Sequence, residues 1–242
     1  MRLGFVTLTA ALLLTTTASA YVLPASYLLR VLAEKRRSQK MKDLTVHFIT
    51  EKSGVDHPVD ERLYLKKPER LRLIEEGEGG QIYVEREGRY ASGTDGRLTR
   101  GQGPVTNLLA TLLAPKGENL EDAATHMLAA LKAIGVDTSV VSLGRVDTRP
   151  AYVIGARVWE TTKPQVWLDK ASFLPVKTVV PQGDAKGRVI LEKRLLEYGS
   201  PVAGNWFPRL VEDYVDGRLV RRAEVSQVLS NQDLPETLFA LP

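Results

Sequence analysis

Three histidines, His47, His57 and His126, are the side chains of this sequence best suited to proton transfer or metal ligation near neutral pH. Their spacing does not unite them. One falls in an alternating stretch, one in a polar loop and one in a helical pattern, and no pair has the HExxH separation. Carboxylates gather twice. Asp56, Asp60 and Glu61 surround His57, where carboxylates in an exposed loop are a weak cation signal. Glu75, Glu76 and Glu78 border a glycine-rich turn at 77–80, as solvated charges commonly do. The absence of cysteine removes disulfides, thiolate metal sites and a Cys nucleophile. Neither a G-x-S-x-G elbow nor a phosphate-binding glycine loop occurs. No catalytic residue, metal or cofactor is therefore predicted, and the chemistry of the chain is expected to be non-covalent.

The stronger pattern is apolar. In Val59–Glu76 (VDERLYLKKPERLRLIEE) two alternating segments, Arg62–Leu65 and Leu71–Ile74, flank Lys66-Lys67-Pro68. Leu63 and Leu65 share one face, Leu71 and Leu73 another, and the Arg, Tyr and Lys between them predict a wet opposite face. That is the period-two signature of antiparallel strands buried on one side. Further strands are predicted at Leu44–Thr50, Gln81–Arg86 and Arg89–Ser92. Beyond residue 138 they follow at Ser139–Leu143, Ala151–Trp159, Gln165–Asp169, Leu174–Val180, Gly187–Tyr198, Trp206–Val215 and Arg218–Leu229. Turn signals at Thr94-Asp95-Gly96, Asp169-Lys170-Ala171-Ser172 and Asp216-Gly217 favour a meander.

Three helical stretches must position or cover this sheet. Pro24–Met41 carries Leu28, Val31 and Leu32 on one face and ends in Lys35, Arg36, Arg37, Lys40 and Lys42. That basic end suits a solvated helix C-terminus, or docking to anionic headgroups or an acidic partner. Val105, Leu108, Leu109, Leu112 and Leu113 follow a helical series between Pro104 and Pro115, and nothing from Gly101 to Ala114 is charged. A surface helix has a charged back, so this one is expected to be covered on both sides or to lie over something apolar. A third helix is bounded by Asn119 as N-cap and Gly135 as stop.

The 242 residues are 43% apolar and 26% charged, the balance of a folded protein rather than a disordered one. A net charge of +4 without an aromatic-basic stacking motif argues against nucleic acid. Met1–Ala20 has the layout of a cleaved export signal: Arg2, an apolar run to Leu14, and Ala18-Ser19-Ala20. Residues 21–242 are expected to form a single α+β domain, a strongly curved antiparallel sheet with helices on one face. Without cysteine for lipidation, the exported chain is expected to be a soluble monomer.

The order of motifs resembles the LolA-like superfamily of periplasmic lipoprotein carriers, lipoprotein-sorting and lipid-binding proteins. The leading helix, YLKKPERLRL, the helical insert, QVWLDKASFLPVK (Gln165–Lys177) and the closing Asn231–Pro242 carry the resemblance. It implies an open, incomplete antiparallel β-barrel whose concave face is covered by a helical lid, with acyl chains beneath. It implies a periplasmic location and acylated lipoproteins or lipids as cargo. An inner-membrane lipoprotein-releasing ABC transporter and an outer-membrane acceptor are the membrane partners it implies. In that family an arginine before the motif proline ties down the lid. Here that position is Lys67, which lacks the guanidinium fork.

On this reading the concave wall is Val46, Phe48, Leu63, Leu65, Leu71, Leu73, Ile82 and Val84, and the lid is Leu108, Leu109, Leu112 and Leu113. Alternating strands under an amphipathic helix equally describe a packed core; the resemblance and the uncharged insert favour a cavity. Three other readings compete. One is a regulator of the same fold that binds a membrane partner; its usual second domain is not expected here. Another is an outer-membrane acceptor, itself a lipoprotein, against which the missing cysteine argues. The third is an exported hydrolase.

Overall fold

Two meanders meet at one strand. In the computed structural model, which describes residues 22–77, 79–94, 97–183 and 187–242, β1 (Asp43–Lys52) has a neighbour from each half of the chain. On one side lie β2 (Val59–Lys66), β3 (Arg70–Glu75), β4 (Gln81–Arg86), β5 (Arg89–Thr94) and β6 (Arg97–Arg100). On the other lie β13 (Arg218–Ser230), β12 (Leu210–Val215), β11 (Val189–Leu196), β10 (Pro175–Gln182), β9 (Gln165–Asp169), β8 (Arg149–Gly155) and β7 (Asp137–Val146). Among the described residues these thirteen strands form one antiparallel sheet that does not close, with β6 and β7 at its edges. The expected export signal lies outside the described residues.

This topology dictates a cover. The chain leaves the sheet at edge β6 and re-enters it at the opposite edge, β7, so the connection must cross a face. It crosses as α2 (Leu109–Leu113) and α3 (Leu120–Ala133), and α1 (Ala25–Ser38) packs against α3. α3 is locally well specified: the Asn119 side chain accepts from the Asp122 amide at 3.0 Å, and Glu121 and Asp122 occupy the positive first turn. Gly135, at φ +84°, ends it.

Several boundaries differ from expectation. The helix predicted between Pro104 and Pro115 is only Leu109–Leu113. Gly103, in the left-handed region, and Pro104 keep the preceding residues irregular, so Val105 lies outside it. The strand predicted to Trp159 stops at Gly155, whose φ of +108° ends the extended run. Arg157–Trp159 lie in the following loop, with Trp159 70% exposed.

Cross-strand register separates the two faces. Leu63 pairs with Val46 and Leu73, and Leu65 with Leu44 and Leu71, so these side chains share the concave face. On β4 the register sets Tyr83 opposite Leu73 and Glu85 opposite Leu71. Val84, assigned above to the concave wall, therefore points to the other face, opposite Arg72; Ile82, opposite Ile74, shares that phase but also borders the concave cavity. The apolar phase of that strand is misleading because its outer face is also covered. The C-terminal segment, with a 3₁₀ turn at Glu236–Phe239, packs on β3 and β4, and Phe239 is fully buried. The outer face of β2 and β3 is accordingly half-buried rather than wet. Arg72 donates to the Leu238 carbonyl at 3.0 Å, and Lys66 and Arg70 pair with Glu236 at 3.0 and 3.1 Å.

Candidate functional site: an apolar trough with an ionic belt

The four leucines expected to form a lid are buried, and they divide between two apolar clusters. Leu108 and Leu112 pack with α1, α3 and the concave side of β8 and β9. Leu109 and Leu113 pack with Val46, Phe48, Leu63, Leu65 and Leu71, and with Phe207 and Val211 from the second half. Residues 108–114 of the uncharged segment are thus covered on both sides, while Gln102, Gly103 and Pro104 before them are exposed.

What holds α2 in place is a residue the sequence reading assigned elsewhere. Arg36, on α1, is fully buried rather than part of a solvated basic end. Its Nε donates to the Leu113 carbonyl at 2.8 Å, Nη2 to Trp206 O at 2.8 Å and Nη1 to Asn205 O at 3.2 Å. Burial lowers its pKa to about 10, so it remains a cation at neutral pH, held by three carbonyl dipoles. The signal in the sequence was phase: Arg36 lies four residues after Leu32 and so continues the apolar stripe of Leu28 and Leu32.

Lys67 does not touch α2. Its Nζ donates to the Arg36 carbonyl at 3.0 Å, and burial, with Arg36 and Arg37 nearby, lowers its pKa to about 8. Within the same turn it is Glu69 that reaches the lid region. Its amide donates to Ala114 O at 2.9 Å, and its buried carboxylate lies 2.7 Å from His126 Nε2 on α3. Burial and the neighbouring Glu69 push the Glu85 carboxyl well above its ordinary value, against the lowering effect of its bond to Tyr83.

Beneath Leu109 a cavity of about 210 Å³ opens on the concave face. Phe48, Leu63, Leu71, Leu73, Phe207 and Val211 line it, and Leu65 and Val46 lie in the packed cluster beside it. One end is charged. Glu75, Glu61, Lys52, Arg221, Asp213 and Lys193 come from six successive strands of the sheet, β3, β2, β1, β13, β12 and β11. Arg221 binds Glu61 through Nε at 3.0 Å and again through Nη2, and Asp213 through Nη1 at 2.9 Å. Lys52 lies 3.0 Å from Glu61 and 2.7 Å from Glu75, and Lys193 pairs with Asp213. Burial alone would raise the carboxyls of Glu61 and Asp213. Arg221 and Lys52 outweigh it at Glu61, and Lys193 and Arg221 at Asp213, so both stay below the usual range.

This belt was missed from sequence, although its mark was present. Glu61 is in phase with Leu63 and Leu65, Arg221 with Ala223 and Val225, Asp213 with Val211, and Lys193 with Leu195. Charges on the apolar phase of several strands are the expected trace of an ionic network inside a sheet. The belt also dissolves the cation cluster considered around His57, because Glu61 faces the trough while its chain neighbour Asp60 points the other way.

No protein-family model and no curated protein matches the chain. Solved structures do. A candidate outer membrane lipoprotein-sorting protein domain from Vibrio parahaemolyticus is similar over 88% of this chain and 97% of its own, at 12% identity and a TM-score of 0.51. A DUF1329 family protein from Desulfovibrio piger is similar over 90% of this chain and 98% of its own, at 12% identity and a TM-score of 0.52. A LolA superfamily protein from Nitrosomonas europaea covers 91% and 99%, at 17% identity and a TM-score of 0.49. At these identities the likeness is one of fold: the protein shares with the lipoprotein-sorting domain and the DUF1329 protein an open antiparallel sheet with helices across its concave face.

Proposed function

We propose that this protein is a periplasmic carrier that holds the acyl chains of lipoproteins, or of free lipid, in the concave trough under α2 for transfer towards the outer membrane. Its donor would be an inner-membrane lipoprotein-releasing transporter and its recipient an outer-membrane acceptor. The observation that carries this reading is the burial of α2's leucines against an apolar trough of which about 210 Å³ is unfilled. That space is below the roughly 300–1,000 Å³ of small-molecule pockets, so admitting an acyl chain requires α2 to withdraw.

The energies make such an exchange reversible. Exposing four buried leucines costs roughly 6–12 kcal/mol, at about 1.5–3 kcal/mol each. Burying an acyl chain of ~14 methylenes returns about 11 kcal/mol. Neither side wins by much, which is what a carrier needs: cargo replaces the lid's leucines, and the lid replaces cargo on release. The fold shared with a candidate lipoprotein-sorting domain supports the same reading.

The test is to delipidate and refold the protein, then titrate a fluorescent fatty-acyl probe. Saturable binding that a lipopeptide displaces is expected. Absence of saturable binding would sink the proposal.

A further inference from the structure

The trough does not end at the belt. On the far side of Lys193 and Asp213 a second cavity of about 240 Å³ lies on the same face of β10–β12, with Val180, Leu191 and Val215 as apolar wall. The two cavities share three lining residues, Asn107 from the covering segment and the Lys193–Asp213 pair from the floor. Apolar space therefore lies on both sides of one polar crossing.

The crossing has hydrogen-bond donors to spare at Lys193 and Asn107. Glu61 receives Arg221, Lys52 and Thr50, and Asp213 receives Arg221 and Lys193. An ammonium has three donors; Lys193 spends one on Asp213, and Lys52 spends two on Glu61 and Glu75. The Asn107 oxygen accepts from the Leu109 amide at 3.4 Å, which leaves the carboxamide NH₂ to donate. The belt's three cations and three carboxylates cancel, so it offers no net attraction to an ionic headgroup. A neutral group rich in acceptors fits it best.

Resting on the carrier reading, we infer that the preferred cargo is a two-armed amphiphile whose ester or amide carbonyls form a neck over Lys193 and Asn107, with one apolar arm in each cavity. A diacylglyceryl group has this chemistry, whether on a free lipid or at the end of a lipopeptide.

Binding of three probes by the delipidated full chain tests this: diphenylhexatriene, which has no acceptor, diacylglycerol, and a diacylated lipopeptide. Lys193→Met should weaken both diacyl ligands about tenfold, the worth of one hydrogen bond to a charged group, and Asn107→Ala about fivefold, the worth of a neutral one. Both should leave diphenylhexatriene within about twofold. Lys193→Arg, which restores the donors, should recover most of the loss. Asn107→Ala removes no belt charge, so it tests the neck even if Lys193→Met does not fold. Equal effects on all three probes, or none, overturn the neck. Two monoacyl esters bound per chain as tightly as one diacyl ester overturn the joined arms. Failure of the wild type to bind diphenylhexatriene instead overturns the carrier reading beneath. A preference between diacylglycerol and lipopeptide separates free lipid from lipoprotein as the source.

Discussion

The Nε of Arg36 donates to the Leu113 carbonyl at 2.8 Å, so α1 holds the last turn of α2 through a buried cation. The same guanidinium grips Trp206 and Asn205, which ties the helical layer to the loop before β12. A short helix of five residues has few bonds of its own, and its position is set by this clamp and by its leucines.

Arg36→Met should loosen α2 by about 2 kcal/mol, because three carbonyls lose a donor while a buried charge is relieved. Limited proteolysis should then cut between residues 101 and 117 faster than in wild type, and acyl-probe association should quicken. Arg36→Lys should behave nearly as badly, since an ammonium cannot reproduce the planar fork. Unchanged cutting and association would show that the leucines hold α2 without the clamp.

Lys67 should reveal itself by pH rather than by release kinetics. Its folded pKa of about 8 lies below the ordinary 10.5. Between those values the unfolded chain binds a proton that the folded one does not, so Lys67 makes stability rise with pH across that window. The unfolding free energy of wild type minus that of Lys67→Met should increase from pH 8 to pH 10. A flat difference would mean that the amine is solvated.

Leu112→Ala should destabilise the protein by about 2–5 kcal/mol, as for other leucines truncated in a packed core. The same variant should bind acyl probe more tightly, because less apolar area must be exposed to open the trough. Denaturant unfolding and probe titration on one preparation check both halves. A loss of stability with no gain in affinity would separate α2 from the binding site.

Arg221→Met should cost about 3–5 kcal/mol by leaving buried Glu61 with one cation, Lys52, beside the Thr50 hydroxyl. Acid should mimic it. The carboxyls of Glu61 and Asp213 are held low, so their contribution is complete above the ordinary carboxylate range and is lost as pH falls through their folded values. Unfolding measured from pH 7 to pH 3 should show a steeper decline for wild type than for Glu61→Gln. Parallel declines would remove Glu61 from the acid response.

The sheet is legible in the residues alone. Period-two alternation from Leu44 to Ile74 and again beyond residue 138, with short turns between, was enough for a curved antiparallel sheet with helices on one face, because strand faces are encoded two residues at a time; that it stays open was implied only by the resemblance. The leucine-rich end of the uncharged segment, residues 108–114, was marked for burial in the same way. How the faces and partners combine depends on the folded sheet. Val84 alternates as well as Leu71 and Leu73, but register and the returning C-terminal segment turn it outward. Arg36 looks like one charge in a basic run until Leu113, seventy-seven residues away, supplies its acceptor. The belt likewise joins charges up to 160 residues apart. A charge in an apolar phase announces that a partner exists; which partner it is depends on strand order, and that is a property of the folded sheet.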